Sequence, residues 1–269
     1  MLLSFSKRTF FVNILAIGAH PDDVELGCGG VVLKAVKEGH NVFMYTLTRG
    51  AASGDPRERT QELVTSARYI GVKKLWIDNF DDTKLTVNSE LINAIESYIT
   101  EAQADVVFTH SLFDIHHDHK AIAASVLEAG RFVPNILAYE IPLTKDFKPQ
   151  VFYDISDVVE EKVKLIRLFK SQRDKIYLKA NAIRGLAEYR ALQSRLNGSM
   201  VNNSVSQEAD AISEANRYVE AFEVLKVCLD KEFKLSKSLH DYRAKKKTIP
   251  ATTNKVLEIL QRPSRTRVG

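Results

Sequence analysis

The stretch Phe10-Phe11-Val12-Asn13-Ile14-Leu15-Ala16-Ile17-Gly18-Ala19-His20-Pro21-Asp22-Asp23 decides how this chain is read. Its opening half is built from Phe, Val, Ile and Leu with Asn13 as the polar interruption, and it closes on Gly18, which suits a strand buried on both faces. An imidazole and two carboxylates stand directly behind it. A helix-like run, Val24 to Glu38, follows and ends at Gly39 as a helix C-cap would. Buried strand, short turn and helix make the first half of a βαβ unit.

The same rhythm continues outward. Asn41 to Leu47 reads as a second strand, Arg57 to Ile70 as a helix ended by Gly71, Lys74 to Ile77 as a third strand and Ser89 to Ala102 as a helix. Asp105 to Thr109 is a fourth strand, and Lys120 to Ala129 a helix stopped by Gly130. Alternation of this kind predicts an α/β, Rossmann-like fold, with a mostly parallel sheet and helices on both faces. Beyond Gly130 the expected elements are strands at Asn135 to Ile141 and Val151 to Ile155, then helices at Val158 to Gln172 and Arg184 to Leu196. Asn197 to Ser206 reads as a polar loop, and Arg217 to Leu229 as ordered chain of unassigned type.

Length and composition agree with one large domain that carries an appendage. At 269 residues, 45% of them hydrophobic and 27% charged, the chain is neither disordered throughout nor collagenous. Cys28 and Cys228 lie too far apart for a CxxC motif or a cysteine zinc site, so a reducing, cytoplasmic setting is expected. The net charge of +4 is unevenly placed, because residues 229–269 hold 11 Lys or Arg against 4 Asp or Glu. The expected division is therefore a domain over 1–228 and a basic, solvated extension over 229–269. That extension could meet an anionic membrane surface peripherally, and no nucleic-acid partner is expected. Oligomeric state is left open, homo-oligomers included. No apolar run reaches the roughly 18 residues of a spanning helix. Lys7 and Arg8 before Thr9 to Ala19 imitate a targeting signal, but Asn13 interrupts the run, and a signal peptide is not expected.

In a doubly wound sheet, ligands bind beyond the carboxyl ends of the strands, where the strand order reverses. His20-Pro21-Asp22-Asp23 follows strand one, and Asp114-Ile115-His116-His117-Asp118-His119 follows strand four. With strand order 3-2-1-4 those strands are neighbours about 5 Å apart, so topology joins the two clusters. The first turn lacks the second glycine of G-x-G-x-x-G and places carboxylates where a pyrophosphate would approach, which excludes a dinucleotide there. Imidazole with carboxylate and no thiolate matches a catalytic zinc site with three protein ligands and one open position.

His-Pro-Asp-Asp after the first strand and His-x-Asp-His after the fourth resemble the zinc-dependent N-acetyl-sugar deacetylases called LmbE-like, or PIG-L. That family includes the glycosylphosphatidylinositol-pathway GlcNAc de-N-acetylases and deacetylases of thiol biosynthesis. The resemblance extends over roughly residues 10–228 and includes Leu26-Gly27-Cys28-Gly29-Gly30, Arg59-x-x-Glu62 and Tyr218-Val219-Glu220-Ala221-Phe222. It implies that His20, Asp23 and His119 hold Zn2+ and that Asp22 is the general base toward water. It further implies that His116 stabilises the oxyanion or helps protonate the leaving group, with Asp118 as its neighbour or orienter. The chemistry suits the residue types, since an amide needs a Lewis acid, a base and an oxyanion donor. Three positions depart from the family pattern. His117 stands where proline is usual and is an alternative polarising group, Ala51 replaces a common acidic residue, and Phe169 precedes Ser171-Gln172 where histidine is frequent.

The implied activity is removal of acetate from an N-acetylated amino sugar or sugar conjugate. The competing readings are an amide hydrolase on a non-sugar substrate and a non-catalytic sugar- or nucleotide-binding module. Arg59 is the expected substrate-binding residue, its planar fork suiting a phosphate or carboxylate on the conjugate, unless Asp55, Glu58 and Glu62 neutralise it together with Arg49 and Arg57. Asp81-Asp82-Thr83 reads equally as a turn, His110 as a residue behind the ligands and Cys28 as packing.

Overall fold

A computed structural model describes residues 11–194 and 217–229. The elements are β1 Asn13–Gly18, α1 Asp23–Lys37, β2 Asn41–Thr48, α2 Pro56–Ile70, β3 Lys74–Phe80, α3 Ser89–Ala102, β4 Val106–His110 and α4 His117–Ala129. They continue with β5 Asn135–Tyr139, β6 Val151–Asp154, α5 Val159–Ile166, α6 Ala180–Ser194 and β7 Val219–Lys226. The strands form one sheet in the order β3-β2-β1-β4-β5-β7-β6. The first five are mutually parallel, and β7 runs antiparallel between β5 and β6. This is the expected α/β architecture, with the strand order reversing at β1 and β4, paired as Ile14 with Val106 and Ala16 with Phe108.

Alternation along each strand sorts the core into two layers. Ile14, Ala16, Val42 and Met44 face one way, against apolar side chains of α1, α2, α5 and α6. Leu15, Ile17, Phe43 and Tyr45 face the other, against α3 and α4. Both faces are covered, as a parallel sheet requires.

Two expectations are corrected. The helix anticipated over Val158 to Gln172 ends at Ile166 and gives way to two 3₁₀ turns, Lys170–Gln172 and Ile176–Leu178. The chain leaves the helix because Phe169 is drawn into the core and Ser171 turns to Glu62, to which its N–H and hydroxyl donate at 2.8 and 2.6 Å. The next helix begins at Ala180, four residues earlier than the periodicity suggested. Asn197 to Ser206 and residues 230–269 of the basic extension lie outside the described residues. Among the described residues, no helix is long and apolar enough to cross a membrane.

The glycine-rich run in α1 and the distant β7 segment are explained together. Cys28 adopts φ −137°, ψ 22°, and breaks the helix there. A break leaves a carbonyl and the following N–H groups without their helical partners, and buried groups of that kind must be satisfied elsewhere. Glu220 of β7 accepts from the N–H groups of Gly30 and Val31, each at 2.7 Å. Lys162 of α5 donates to the Leu26 carbonyl at 2.7 Å and to Glu220 at 2.6 Å. Both side chains are buried. A Cβ on Gly27 would lie 2.1 Å from the Tyr139 ring and one on Gly30 2.7 Å from Ile155, so the break also depends on side-chain-free positions.

Glu220→Ala would strand a buried ammonium and two N–H groups, and the expected loss is about 3–5 kcal/mol of unfolding free energy. Chemical denaturation measures it. Glu160→Ala, which removes the solvent-exposed partner of Arg184, should leave the unfolding midpoint nearly unchanged.

Candidate active site

The turn after β1 is held by its own backbone before any ligand is considered. The Asp23 carboxylate accepts from the His20 N–H at 2.7 Å, and the Asp22 carbonyl accepts from Leu26 N–H at 2.9 Å. Asp22 itself sits at φ 104°, a left-handed conformation that a non-glycine residue adopts only where the surroundings enforce it. Arg59 of α2 does so. One of its nitrogens donates to the Pro21 carbonyl at 2.5 Å and to Asp22 Oδ2 at 3.2 Å, while another bonds Ser53 Oγ and the Gly50 carbonyl.

Three atoms converge at the centre. His20 Nδ1 lies 3.3 Å from Asp23 Oδ2, His119 Nε2 lies 3.4 Å from the same oxygen, and the two nitrogens are 3.3 Å apart. Ligand atoms about 2.0–2.1 Å from a tetrahedral ion stand about 3.3–3.4 Å from one another, so this triangle fits a divalent transition metal with one corner left open. The outward nitrogens carry the protons. His20 Nε2 faces Asp82 at 2.9 Å and Asp118 at 3.1 Å, and His119 Nδ1 faces Asp114 at 3.2 Å. Carboxylates behind the rings thus turn both lone pairs inward, as in established metal sites.

Two other triples approach one another, His20-His116-Asp118 and His110-Asp114-His119. The first would draw on the His20 nitrogen already engaged by carboxylates. In the second the His110 and His119 rings are stacked at 3.9 Å and 8°, so their in-plane lone pairs do not converge.

Electrostatics sharpen the assignment. Burial alone would lower His119, but Asp23 and Asp114 more than offset it and hold its pKa up at about 9. Burial acts likewise on His20, which hydrogen bonds to Asp118, Asp23 and Asp82 hold well above the usual histidine range. Protons stabilised this strongly by surrounding carboxylates occupy the electrostatic place of a cation. Asp22 is different, because burial pushes its carboxyl up to about 6 against the pull of Arg59.

Each residue anticipated from the sequence can now be located. His20, Asp22, Asp23, His116, Asp118 and His119 do gather at the carboxyl ends of β1 and β4. Asp118 is the neighbour of His116 that was expected, but not through its carboxylate. Its carboxylate faces His20 and accepts from the N–H groups of Thr83 and Leu85 at 2.8 and 3.0 Å, and only its backbone N–H touches His116, donating to Nδ1 at 3.2 Å. That bond leaves the His116 proton on Nε2, with the ring centroid 4.9 Å from that of His20 and 4.6 Å from that of His119. His117, the alternative, is exposed and turns instead to the Thr83 carbonyl and Asp118.

Arg59 is also corrected. It is 1% exposed and committed to Asp22 and three backbone or side-chain oxygens of its own chain, so its fork is not open to a conjugate. The expected acidic neighbours do not serve it, since Asp55 caps α2 and Glu62 holds Ser171. Sequence reading left Asp82 evenly between a turn and a site residue, and gave Asp114 no role. Both lie in loops just past a strand's carboxyl end, the position that singled out the other residues. His110 does stand behind the ligands, with Nε2 3.1 Å from the Ala19 N–H and 3.2 Å from the Tyr139 hydroxyl.

Known proteins share this arrangement of sequence and fold. The family profile described as "PIG-L: GlcNAc-PI de-N-acetylase" matches residues 15–130. The uncharacterized deacetylase YaiS of Escherichia coli (strain K12) is 34% identical over 165 residues, 58% of this chain and 88% of that protein. The diacetylchitobiose deacetylase of Thermococcus kodakarensis is 29% identical over 201 residues, 62% of this chain and 75% of that protein. Among solved structures, the N,N'-diacetylchitobiose deacetylase from Pyrococcus horikoshii superposes with a TM-score of 0.64 at 24% identity, covering 79% of this chain and 83% of that one.

His119→Ala should abolish stoichiometric metal binding, whereas Asp82→Asn should keep the ligands and weaken affinity about 10–100-fold, the usual cost of a lost partner behind a ligand. Competition with a chromophoric chelator distinguishes these outcomes. Unchanged affinity in Asp82→Asn would mean that Asp118 alone orients His20.

Proposed function

Because the chain belongs to the PIG-L, or LmbE-like, deacetylase family, we propose that it is a zinc-dependent hydrolase that removes acetate from an N-acetylated amino sugar or sugar conjugate of the GlcNAc type. The observation that carries this reading is the triangle of His20 Nδ1, Asp23 Oδ2 and His119 Nε2, with a buried carboxylate, Asp22, beside it. Zinc bound there would supply a Lewis acid toward the amide carbonyl and lower the pKa of water toward about 7.

The remaining steps belong to this chain's own residues. Asp22 takes the proton of the attacking water, a task for which a pKa of about 6 leaves it ionised yet basic at neutral pH. Arg59 fixes the orientation of that carboxylate. His116, which burial and the neighbouring His119 and His20 push toward the neutral form, presents Nε2–H to the carbonyl oxygen as it gains charge. The proton held on Asp22 then goes to the leaving nitrogen, giving acetate and a free amine. A binding-only module has no chemical need of a base and an oxyanion donor in one cleft.

The sugar class rests on the relatives, two of which act on diacetylchitobiose by name. We read residues 1–228 as the catalytic unit and 229–269 as a basic extension. The free thiols of Cys28 and Cys228 suit a reducing, cytoplasmic setting.

Acetate release over N-acetyl sugars and their lipid, nucleotide and thiol conjugates tests the activity directly, and release from none of them with metal-loaded protein would refute it. Asp22→Asn should retain metal yet lose roughly two to four orders of magnitude in kcat. Since Asp22 works as the anion, kcat/KM should fall as pH drops through its pKa, with the acid limb at or below about 6. Arg59→Met removes the positive neighbour and should move that limb upward. A pH–rate profile at saturating metal in which the limb stays fixed would show that another group titrates.

A further inference from the structure

We propose that the basic surface carried by residues 164–179 docks this protein on an anionic phospholipid bilayer. The inference stands apart from the deacetylase reading, since it concerns where the molecule resides and not what its cleft does. Its support is the density of positive charge in one short stretch, a cavity that gathers that charge around apolar side chains, and one apolar residue turned to solvent.

Residues 164–179 hold six Lys or Arg against one Asp, whereas the whole chain holds 38 against 34 Asp or Glu. Lys164, Arg167, Lys170 and Arg173 recur at every third position through the end of α5 and the 3₁₀ turn behind it, a spacing that keeps side chains on one side. All four are exposed, and so is Lys179. The segment is held firmly from beneath. Phe169 is buried in the core, Ser171 is tied to Glu62 of α2, and Gln172 donates from its amide to the Ser53 carbonyl at 3.1 Å. The cations therefore project from a fixed surface.

A cavity of about 400 Å³ lies in this surface. Arg167, Lys170, Arg173 and Lys179 line it together with the buried Ile166, Phe169 and Leu178, and no carboxylate does. Ile176, in the same 3₁₀ turn as Leu178, is 75% exposed, the most exposed large apolar side chain among the described residues. Cations around an apolar hollow match the layering of a bilayer surface, where anionic headgroups lie over hydrocarbon. A small free anion fits less well, because long exposed side chains lose rotamer freedom when fixed on one ion, whereas a membrane offers a charge to each of them at once. A nucleic acid would engage the cations through its phosphates yet leave Ile176 and the apolar lining without a partner.

The test is co-sedimentation of the full-length protein with vesicles of phosphatidylcholine alone and with vesicles of equal parts phosphatidylcholine and phosphatidylserine. Partition should favour the anionic vesicles and weaken as salt rises. Arg167→Gln combined with Lys170→Gln should lower that partition roughly thirtyfold, from about fivefold for each cation near an anionic surface. Ile176→Ser should lower it by a smaller factor that persists at high salt. Removing two exposed charges from the loop before β6, by Lys145→Gln with Lys148→Gln, should change it little, which separates the patch from net charge and from the basic extension. No preference for the anionic vesicles, an unchanged partition in the Arg167 and Lys170 variant, or an equal loss in the Lys145 and Lys148 variant would overturn the proposal. Tighter binding to duplex DNA than to the anionic vesicles, with no effect of Ile176→Ser on either, would also overturn it, since the surface would then serve a nucleic acid. Each readout is binding, so the presence or absence of acetate release leaves the assignment untouched.

Discussion

Oδ2 of Asp23 is the atom around which the rest of this molecule is arranged. Four nitrogens stand within 2.7 to 3.4 Å of it, the backbone N–H and Nδ1 of His20, Nε2 of His110 and Nε2 of His119. Burial would raise the carboxyl, but the histidines around it, His119 first, hold it well below the usual range. A buried anion of this kind is tolerable only where charge and hydrogen bonds surround it. Those partners come from the ends of two strands more than ninety positions apart in the chain, and the pairing of β1 with β4 brings them to one oxygen. Asp23 is also the first residue of α1, where the unsatisfied N–H groups of the helix favour negative charge.

That placement of α1 is secured from the far end of the sequence. The break at Cys28 lets the first turns of the helix aim at the site while the later turns follow the sheet, and Glu220 with Lys162 satisfies the groups the break releases. Gly27 then packs against Tyr139, whose hydroxyl donates to the Ile17 carbonyl at 2.7 Å and meets His110. A mechanical path therefore runs from the antiparallel strand β7 to the histidine behind Asp23. It gives physical content to two motifs that are far apart in sequence and show no evident purpose when each is read alone.

Periodicity and punctuation made the parallel half of the fold legible. Gly39, Gly71 and Gly130 ended helices where expected, and the strand-end rule located both histidine clusters. The strand β7 was not legible as a strand, because Glu220 and Glu223 are buried within it and disguise its apolar alternation. The end of α5 was hidden for a similar reason. The helical pattern runs on past Ile166, and the choice is made by contacts of Phe169 and Ser171 with residues of α2 and the core. Asp82 could not be assigned because Asp-Asp-Thr is ordinary turn chemistry, and only the approach of the β3 loop to His20 gives it meaning. Pairwise partners of charged groups are the least legible feature of all. The i,i+3 spacing of Arg59 and Glu62 suggested a pair on one helix, yet each found a partner in a different loop.

The pairing of Arg59 with Asp22 is more informative than the surface role it replaces. A carboxylate that is simply buried becomes too hard to ionise, and one fully paired with a guanidinium is a poor base because its lone pairs are spent. In this site the two tendencies oppose each other at a single side chain. Burial raises Asp22, Arg59 draws it back, and the carboxyl comes to rest near 6. The guanidinium reaches Oδ2 at 3.2 Å while a shorter bond goes to the Pro21 carbonyl, so its stronger commitment is to the backbone of the strained turn. That division of labour lets one arginine hold a left-handed residue in place while its contact with the carboxylate stays the longer of the two. An arginine turned outward to the cleft could do neither.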